Sequence, residues 1–231
     1  MEKQPLQLDE KRFPLFHKVR NSREIKIYIE EQNKSLHALG FTEHGFAHIG
    51  VVTERTGYIL DTLGLDDHTI DLALTAAWMH DLGNVVNRVD HSQSGALMSF
   101  YLLDKMGVPA EDIAPIIRAI GNHDEGSGVP VSDIAAALII ADKSDVRRSR
   151  VVDEEGKEYD IHDRVNYSVK TSKLKINQDK TAIKLKLEVD TRYSEIGEYF
   201  EIFMERMLLC RKAAGFLHME FHLIINEQTL L

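Results

Sequence analysis

The hydrophobic periodicity of this 231-residue chain changes near residue 150, and this change limits the folds that it can adopt. Before that point apolar residues recur at helical spacing, for example Ile70, Leu74 and Trp78, which predicts helices. After it they alternate with polar residues, most clearly over 183–189 and 217–225, which predicts strands. The expected fold class is therefore mainly α, with an all-helical core followed by a smaller C-terminal α+β appendage.

Glycines and capping residues divide the first part of the chain into a series of predicted helices. These helices are predicted over 22–39, 43–63, 66–83, 92–106, 112–120 and 132–141. The segment 134–141 is almost wholly apolar, so its helix should be central and buried. Residues 1–20 mix charges, proline and isolated aromatics, and we interpret them as a surface extension. The helical domain is then expected over 21–150.

Residues 151–231 are predicted to form a β-β-α-β appendage. It would consist of a charged connector over 152–163, alternating runs at 165–169 and 183–189 around a turn at 177–180, a helix over 194–215 and a strand over 217–225. So small a sheet cannot bury its apolar face alone, and we expect the helix to cover it. If that cover is incomplete, a second copy of the chain should bury the remainder in a homodimer.

Composition narrows the classes of protein to be considered. The longest apolar run has eight residues, against the ~20 of a membrane helix, so no membrane association is expected. The N-terminus lacks the apolar stretch of a signal peptide, and the single cysteine, Cys210, cannot form an intrachain disulfide. These features predict a cytoplasmic protein. With 28 Lys plus Arg against 37 Asp plus Glu, the net charge of -9 argues against general nucleic-acid binding.

Several of the eleven histidines stand beside aspartates at the ends of predicted helices. His80 and Asp81 end the third main helix, where the unpaired carbonyls favour a cation. Imidazole nitrogen and carboxylate oxygen both suit a divalent metal. His48 stands at the start of another apolar-periodic segment, and His44 is the weaker alternative for the same role. The doublet and His48 are thus candidate metal ligands.

Asp142 ends the most apolar predicted helix, where a lone buried charge would be very costly. A metal ion would compensate this charge, and so would a salt bridge to Lys143 or Arg147. The basic run Lys143, Arg147, Arg148 and Arg150 follows directly. This run is either a solvent-exposed face or a binding site for a substrate phosphate. The second alternative follows because guanidinium groups suit phosphate oxygens.

The order of these residues resembles the H…HD…D signature of the HD superfamily of metal-dependent phosphohydrolases, which have an all-helical core. The resemblance covers about residues 40–150 and extends to the local contexts. These contexts are His48-x-x-Val-Val, Trp-Met-His80-Asp81-Leu-Gly and Ile-Ile-Ala-Asp142-Lys-Ser-Asp. Some branches hold a second metal with two histidines between the doublet and the last aspartate, and His91 and His123 match these in order.

The resemblance implies one or two divalent ions, such as Mn, Fe, Mg or Zn. The first ion would be bound by His48, His80, Asp81 and Asp142. The implied activity is hydrolysis of a phosphoester in a nucleotide or another small phosphate ester by a metal-activated water. Asp81 and His80 would form the catalytic centre.

Further residues and alternative functions complete this expectation. Lys143, Arg147 and Arg148 are the candidates for binding the substrate phosphate. A non-catalytic metal- or nucleotide-binding regulatory module on the same scaffold is the main alternative. A metal-dependent oxygenase is a third interpretation, and it requires both metals.

Overall fold

The computed structural model describes residues 6–151 and 159–231, which form a mostly helical chain followed by a small C-terminal sheet. This arrangement confirms the helical core and the mixed appendage at the level of fold class. Residues 152–158 of the predicted connector lie outside the described residues. Among the described residues, no helix combines the length and the apolar content needed to cross a bilayer.

The helices of the described residues carry the labels α1 to α9 in chain order. They are α1 Pro14–Asn21, α2 Arg23–Ala38, α3 Phe46–Leu63, α4 Asp67–Met79, α5 His91–Lys105, α6 Ala110–Gly121, α7 Asp133–Lys143, α8 Ile161–Ser168 and α9 Ile196–Phe216. Two short 3₁₀ turns lie at Leu82–Val85 and Arg148–Arg150.

Capping side chains set several of these boundaries. The Asp66 carboxylate accepts a hydrogen bond from the backbone N–H of Thr69 at the start of α4, at 3.0 Å. The Ser132 hydroxyl accepts one from the N–H of Ala135 at the start of α7, at 3.2 Å. Along 134–141 every residue of α7 is at most 5% exposed. Its apolar sequence therefore predicted its central position correctly.

Residues 1–20, interpreted above as a surface extension, include helix α1. Phe16 and Val19 of this helix are completely buried. The Asp71 carboxylate of α4 accepts hydrogen bonds from the N–H groups of Leu15 and Phe16, at 2.9 and 2.8 Å. These two bonds satisfy orphan donors at the N-terminus of α1. A helix of eight residues is shorter than the window of about 11–18 residues over which helical periodicity is recognised.

The alternating run at 165–169, which predicts a strand, is helical up to Ser168 instead. Asp160 caps α8, and its carboxylate accepts a hydrogen bond from the N–H of Asp163 at 2.7 Å. Val165 is buried in this helix, and strand β1 begins only at Val169. Alternation over five residues cannot by itself distinguish a strand from a short helix.

The sheet contains four strands in the order β1, β2, β3, β4. They are β1 Val169–Ile176, β2 Ala182–Val189, β3 Glu220–Ile225 and β4 Gln228–Thr229. β1 and β2 form an antiparallel hairpin, β2 and β3 are parallel, and β3 and β4 are antiparallel. A parallel pair needs a crossover connection, and α9 provides it.

Helix α9 packs against both α7 and the sheet. Phe203, Met207 and Cys210 are buried on it, and so is its C-terminal pair Ala213 and Ala214. The hydrophobic residues of the helices and of the sheet form one continuous cluster. The C-terminal part therefore shares a core with the helix that carries Asp142.

Candidate metal centre

The turn that follows α4 places the His80–Asp81 doublet at the centre of the helical part. His80 ends α4, and Asp81 precedes the 3₁₀ turn. Gly83 within that turn lies against the first residues of α5. A Cβ atom at Gly83 would be 2.0 Å from the carbonyl oxygen of His91 and 2.5 Å from the nitrogen of Gly95. Only glycine permits this approach, which brings the start of α5 beside Asp81.

Four of the predicted ligands converge from α3, the end of α4 and the end of α7. Asp142 Oδ1 lies 3.3 Å from His48 Nε2 and 3.8 Å from His80 Nε2. Asp81 Oδ2 lies 3.4 Å from His80 Nε2 and 3.8 Å from His48 Nε2. Two metal–ligand bonds of about 2.2 Å span at most about 4.4 Å. Donor atoms of His48, His80 and Asp142 all lie within 4.8 Å of one another, so these three are close enough to share one ion, and Asp81 Oδ2 lies beside the two histidines.

Each of three histidines has its Nδ1 atom engaged elsewhere. His48 Nδ1 donates to Asp145 Oδ2 at 2.8 Å, and His80 Nδ1 donates to the carbonyl of Ala77 at 2.8 Å. His123, just after α6, donates from Nδ1 to the carbonyl of Ile120 in the last turn of that helix, at 2.6 Å. A proton on Nδ1 leaves the lone pair on Nε2, the form in which a histidine binds a metal.

Three buried donor atoms of the site have no hydrogen-bond partner among the described residues. They are His48 Nε2, His80 Nε2 and Asp81 Oδ2. Unsatisfied buried polar atoms are rare and each costs free energy. A divalent ion would satisfy all three atoms, and the nitrogen and oxygen donors suit such an ion. The chemistry of these three residues is therefore compatible with a bound metal ion.

A second group of donor atoms shares His80 with the group formed by His48, His80 and Asp142. Donor atoms of His80, Asp81 and His123 all lie within 4.8 Å of one another. Asp81 Oδ1 is 4.0 Å from His123 Nε2 and 3.6 Å from His91 Nε2, and the two Nε2 atoms are 3.2 Å apart. The two oxygens of Asp81 thus face different groups, and the structure brings His91 and His123 to the second.

The carboxylates of the site are held in their ionised form. Burial raises the pKa of Asp142, but the positive charge of Lys143 and the neighbouring ring of His48 outweigh burial and hold the pKa well below its usual range. Burial also raises the pKa of Asp81, and the neighbouring imidazoles, His80 first, lower it well below its usual range. Ionised carboxylates are the form that binds a cation.

The stability of the metal-free protein is expected to fall as the pH is lowered from 7 to 5. Burial is the main cause that holds the pKa of His44 and of His123 well below the ordinary 6.5. Below that pH the unfolded chain therefore takes up protons that the folded chain does not, which favours unfolding. Each of the two groups then costs up to about 1.4 kcal/mol per pH unit.

His48 offsets part of this slope. Burial and the charge of Arg150 lower its pKa, but the carboxylates of Asp142 and Asp145 outweigh them and raise it, so His48 favours the folded state on protonation. Burial also lowers the pKa of His91, so three lowered groups against one raised group leave a net loss of stability at acidic pH. Urea unfolding of the chelated protein at pH 7, 6 and 5 measures the effect. A free energy of unfolding that is constant or higher at pH 5 would contradict it.

His44, the alternative to His48, does not contribute to either group of donor atoms. Its Nδ1 lies 2.5 Å from the carbonyl oxygen of Thr42, and its ring centroid is 5.4 Å from that of His48. The structure thus places His48 among the donor atoms and His44 behind it.

The three predicted phosphate-binding residues lie in different environments. Lys143 Nζ is 2.8 Å from Asp142 Oδ2, at the edge of the first group. Arg147 Nε donates to Asp145 Oδ1 at 2.9 Å, so Arg147 supports the carboxylate that orients His48. Arg148 lies over the ring of Tyr167 at 4.4 Å and donates to its backbone carbonyl. The structure therefore brings Lys143 to the donor cluster and engages the two arginines elsewhere.

Sequence reasoning missed two residues that hold the ligands in place. Asp145 is completely buried and accepts the hydrogen bond of His48. Asn84 donates to Asp81 Oδ1 at 2.9 Å. Each follows a ligand aspartate by three residues, a spacing that returns the chain beside the ligand at the end of a helix. This spacing is the signal that could have identified them.

Comparison with known proteins gives a distant relative and no family. No family model matches the chain. The chain is 23% identical over 165 residues to the uncharacterized protein MJ1020 of Methanocaldococcus jannaschii. The alignment covers 62% of this chain and 63% of MJ1020, so the chain spans less than two thirds of that relative. A buried cluster of histidines and aspartates that could hold a metal ion is thus what the structure establishes for this site.

Proposed function

We propose that the chain is a metal-dependent phosphohydrolase of the HD type, cleaving a phosphoester bond in a nucleotide or another small phosphate ester. The supporting observation is the convergence of His48, His80, Asp81 and Asp142 with three unpaired donor atoms. These residues span 94 positions of the sequence, so their convergence is a property of the fold. Their order is that of the HD signature.

The chain's own residues can orient the reactants of such a hydrolysis. A divalent ion, when bound, lowers the pKa of a water ligand and offsets negative charge on phosphoryl oxygens. Asp145 fixes the ring of His48, and Asn84 fixes the carboxylate of Asp81. Lys143 adds a positive charge beside Asp142, where it can attract an anionic substrate.

Metal analysis combined with a phosphate-release assay tests the proposal. Protein purified without chelator should contain at least one transition metal or Mg²⁺ per chain. It should release phosphate or a phosphomonoester from a panel of mononucleotides, dinucleoside polyphosphates, cyclic nucleotides and p-nitrophenyl phosphates supplied with Mn²⁺, Fe²⁺, Mg²⁺ or Zn²⁺. Chelation should abolish this activity, and adding the metal back should restore it.

Three other results would contradict the proposal. A metal-loaded protein that binds nucleotides without turnover would favour the regulatory module. Turnover that requires oxygen would favour the oxygenase. A protein that neither contains nor takes up metal would remove the basis of all three interpretations.

A further inference from the structure

Glu125 lies between two cations at the edge of the metal centre. It belongs to the loop that joins α6 to α7, and its Oε2 is 2.8 Å from Lys143 Nζ. Its Oε1 pairs with Nε of Arg206, a residue of helix α9. The side chains of Lys143, Glu125 and Arg206 are 5%, 15% and 23% exposed. One carboxylate therefore bridges a lysine of the helical core and an arginine of the C-terminal part.

This ion-pair cluster adjoins the donor atoms directly. Lys143 Nζ contacts Asp142 Oδ2 at 2.8 Å, and the other oxygen of the same carboxylate faces His48. The guanidinium of Arg206 lies 4.7 Å from the ring centroid of Phe203, one turn earlier on α9, and this contact helps to hold it towards the loop. A group bound between Lys143 and Arg206 would lie beside the metal centre.

Stability alone is a poor explanation for such a cluster. Partly buried ion pairs contribute little net stability, because desolvation offsets much of their attraction. Lysine and arginine aimed at one point are, by contrast, suited to a group with several negatively charged oxygens. A phosphoryl group has more charge than a carboxylate and would compete with Glu125 for both cations.

We propose that the phosphoryl group of the substrate binds between Lys143 and Arg206, at the position that the Glu125 carboxylate takes in this structure. The proposal rests on the phosphohydrolase function proposed above. It makes Arg206 a substrate-binding residue supplied by α9, and it makes Glu125 an internal competitor that occupies the two cations until substrate arrives.

Two substitutions with opposite expected effects test this. Arg206→Ala removes one cation and should raise KM and the Kd for inorganic phosphate by roughly tenfold or more, the value of one charge-assisted hydrogen bond. Glu125→Gln removes the competing charge and should lower both constants. In both variants kcat should change less than KM. Isothermal titration with inorganic phosphate measures Kd on the metal-loaded protein, and initial rates give KM.

Arg211→Ala is the matched control, because Arg211 is exposed on the same helix. It should leave KM and Kd unchanged. Arg206→Lys keeps the charge without the guanidinium fork and should give intermediate values. If Arg206→Ala does not fold by circular dichroism, the lysine and glutamine variants decide the question.

The two levels of proposal fail in different ways. If the wild-type protein hydrolyses phosphoesters but Arg206→Ala has the same KM and Kd as Arg211→Ala, the proposed phosphate position is wrong and the proposed function stands. A higher KM in Glu125→Gln would also overturn this position, since Glu125 would then position Lys143 and not compete with substrate. Wild-type protein without hydrolysis of any ester would overturn the proposed function, and phosphate titration would still report on the cation pair.

Discussion

Asp81→Asn is expected to lower phosphate release by at least about 100-fold and to lower the metal content of the purified protein. Asp81 Oδ2 faces His48 and His80, while Oδ1 faces His91 and His123. The amide has nearly the same shape but loses the charge and one acceptor oxygen. Substitution of a residue that only hydrogen-bonds to a metal ligand typically costs 10–100-fold in metal affinity or activity. Loss of a ligand itself should therefore cost more.

The matched control for this variant is Asp67→Asn, at the exposed N-terminus of the same α4 helix. It removes the same charge by the same change, outside the metal centre, and should retain metal and activity. Elemental analysis and phosphate release are measured on all three proteins, and circular dichroism checks the fold. A folded Asp81→Asn protein with full metal content and most of its activity would refute the assignment.

Ending the chain at residue 160 is expected to give an insoluble or unfolded fragment. Helix α9 contributes Tyr199, Phe203, Met207, Leu209 and Cys210 to the buried core. Burying a large apolar side chain is worth about 1.5–3 kcal/mol, so the loss of several such residues approaches the entire stability of a domain, about 5–15 kcal/mol. The cut would also expose the face of α7 that α9 covers.

Ending the chain at residue 226 is the corresponding control. It removes only β4 and the last residues, and Gln228 and Thr229 are exposed. This shorter cut should leave a soluble protein with normal metal content. Soluble expression, circular dichroism and metal content compare the two fragments. A folded fragment of residues 1–160 that binds metal would contradict the shared core and would support the division of the chain at residue 150.

The sequence carries enough information to predict the main helices and the histidines and aspartates that the structure brings together in the buried cluster. His80 and Asp81 could be identified because they stand next to each other at the end of a strongly periodic helix. Asp142 could be identified because it ends the one segment that is apolar on all sides. In both cases the signal is local, and a local signal is what hydrophobic periodicity detects.

The missed features depend on contacts between distant parts of the chain. Arg206 is 81 positions from Glu125, and nothing in the sequence around α9 distinguishes it from Arg211. Helices α1 and α8 are each eight residues long, and α1 takes its position from the carboxylate of Asp71 in α4. Such pairings arise only when the chain is folded, so periodicity could not predict them.

The close approach of Gly83 and Gly95 packs the backbone of the turn after α4 directly against the start of α5. No side chain separates the turn from α5, so a shift of His80 or Asp81 would press on the backbone that carries His91. Changes that fit the site to a larger, smaller or differently charged substrate would then have to occur where the α6–α7 loop meets α9. Under the proposed function, reactivity and selectivity would then belong to separate parts of the molecule, and the second part could diverge without disturbing the first.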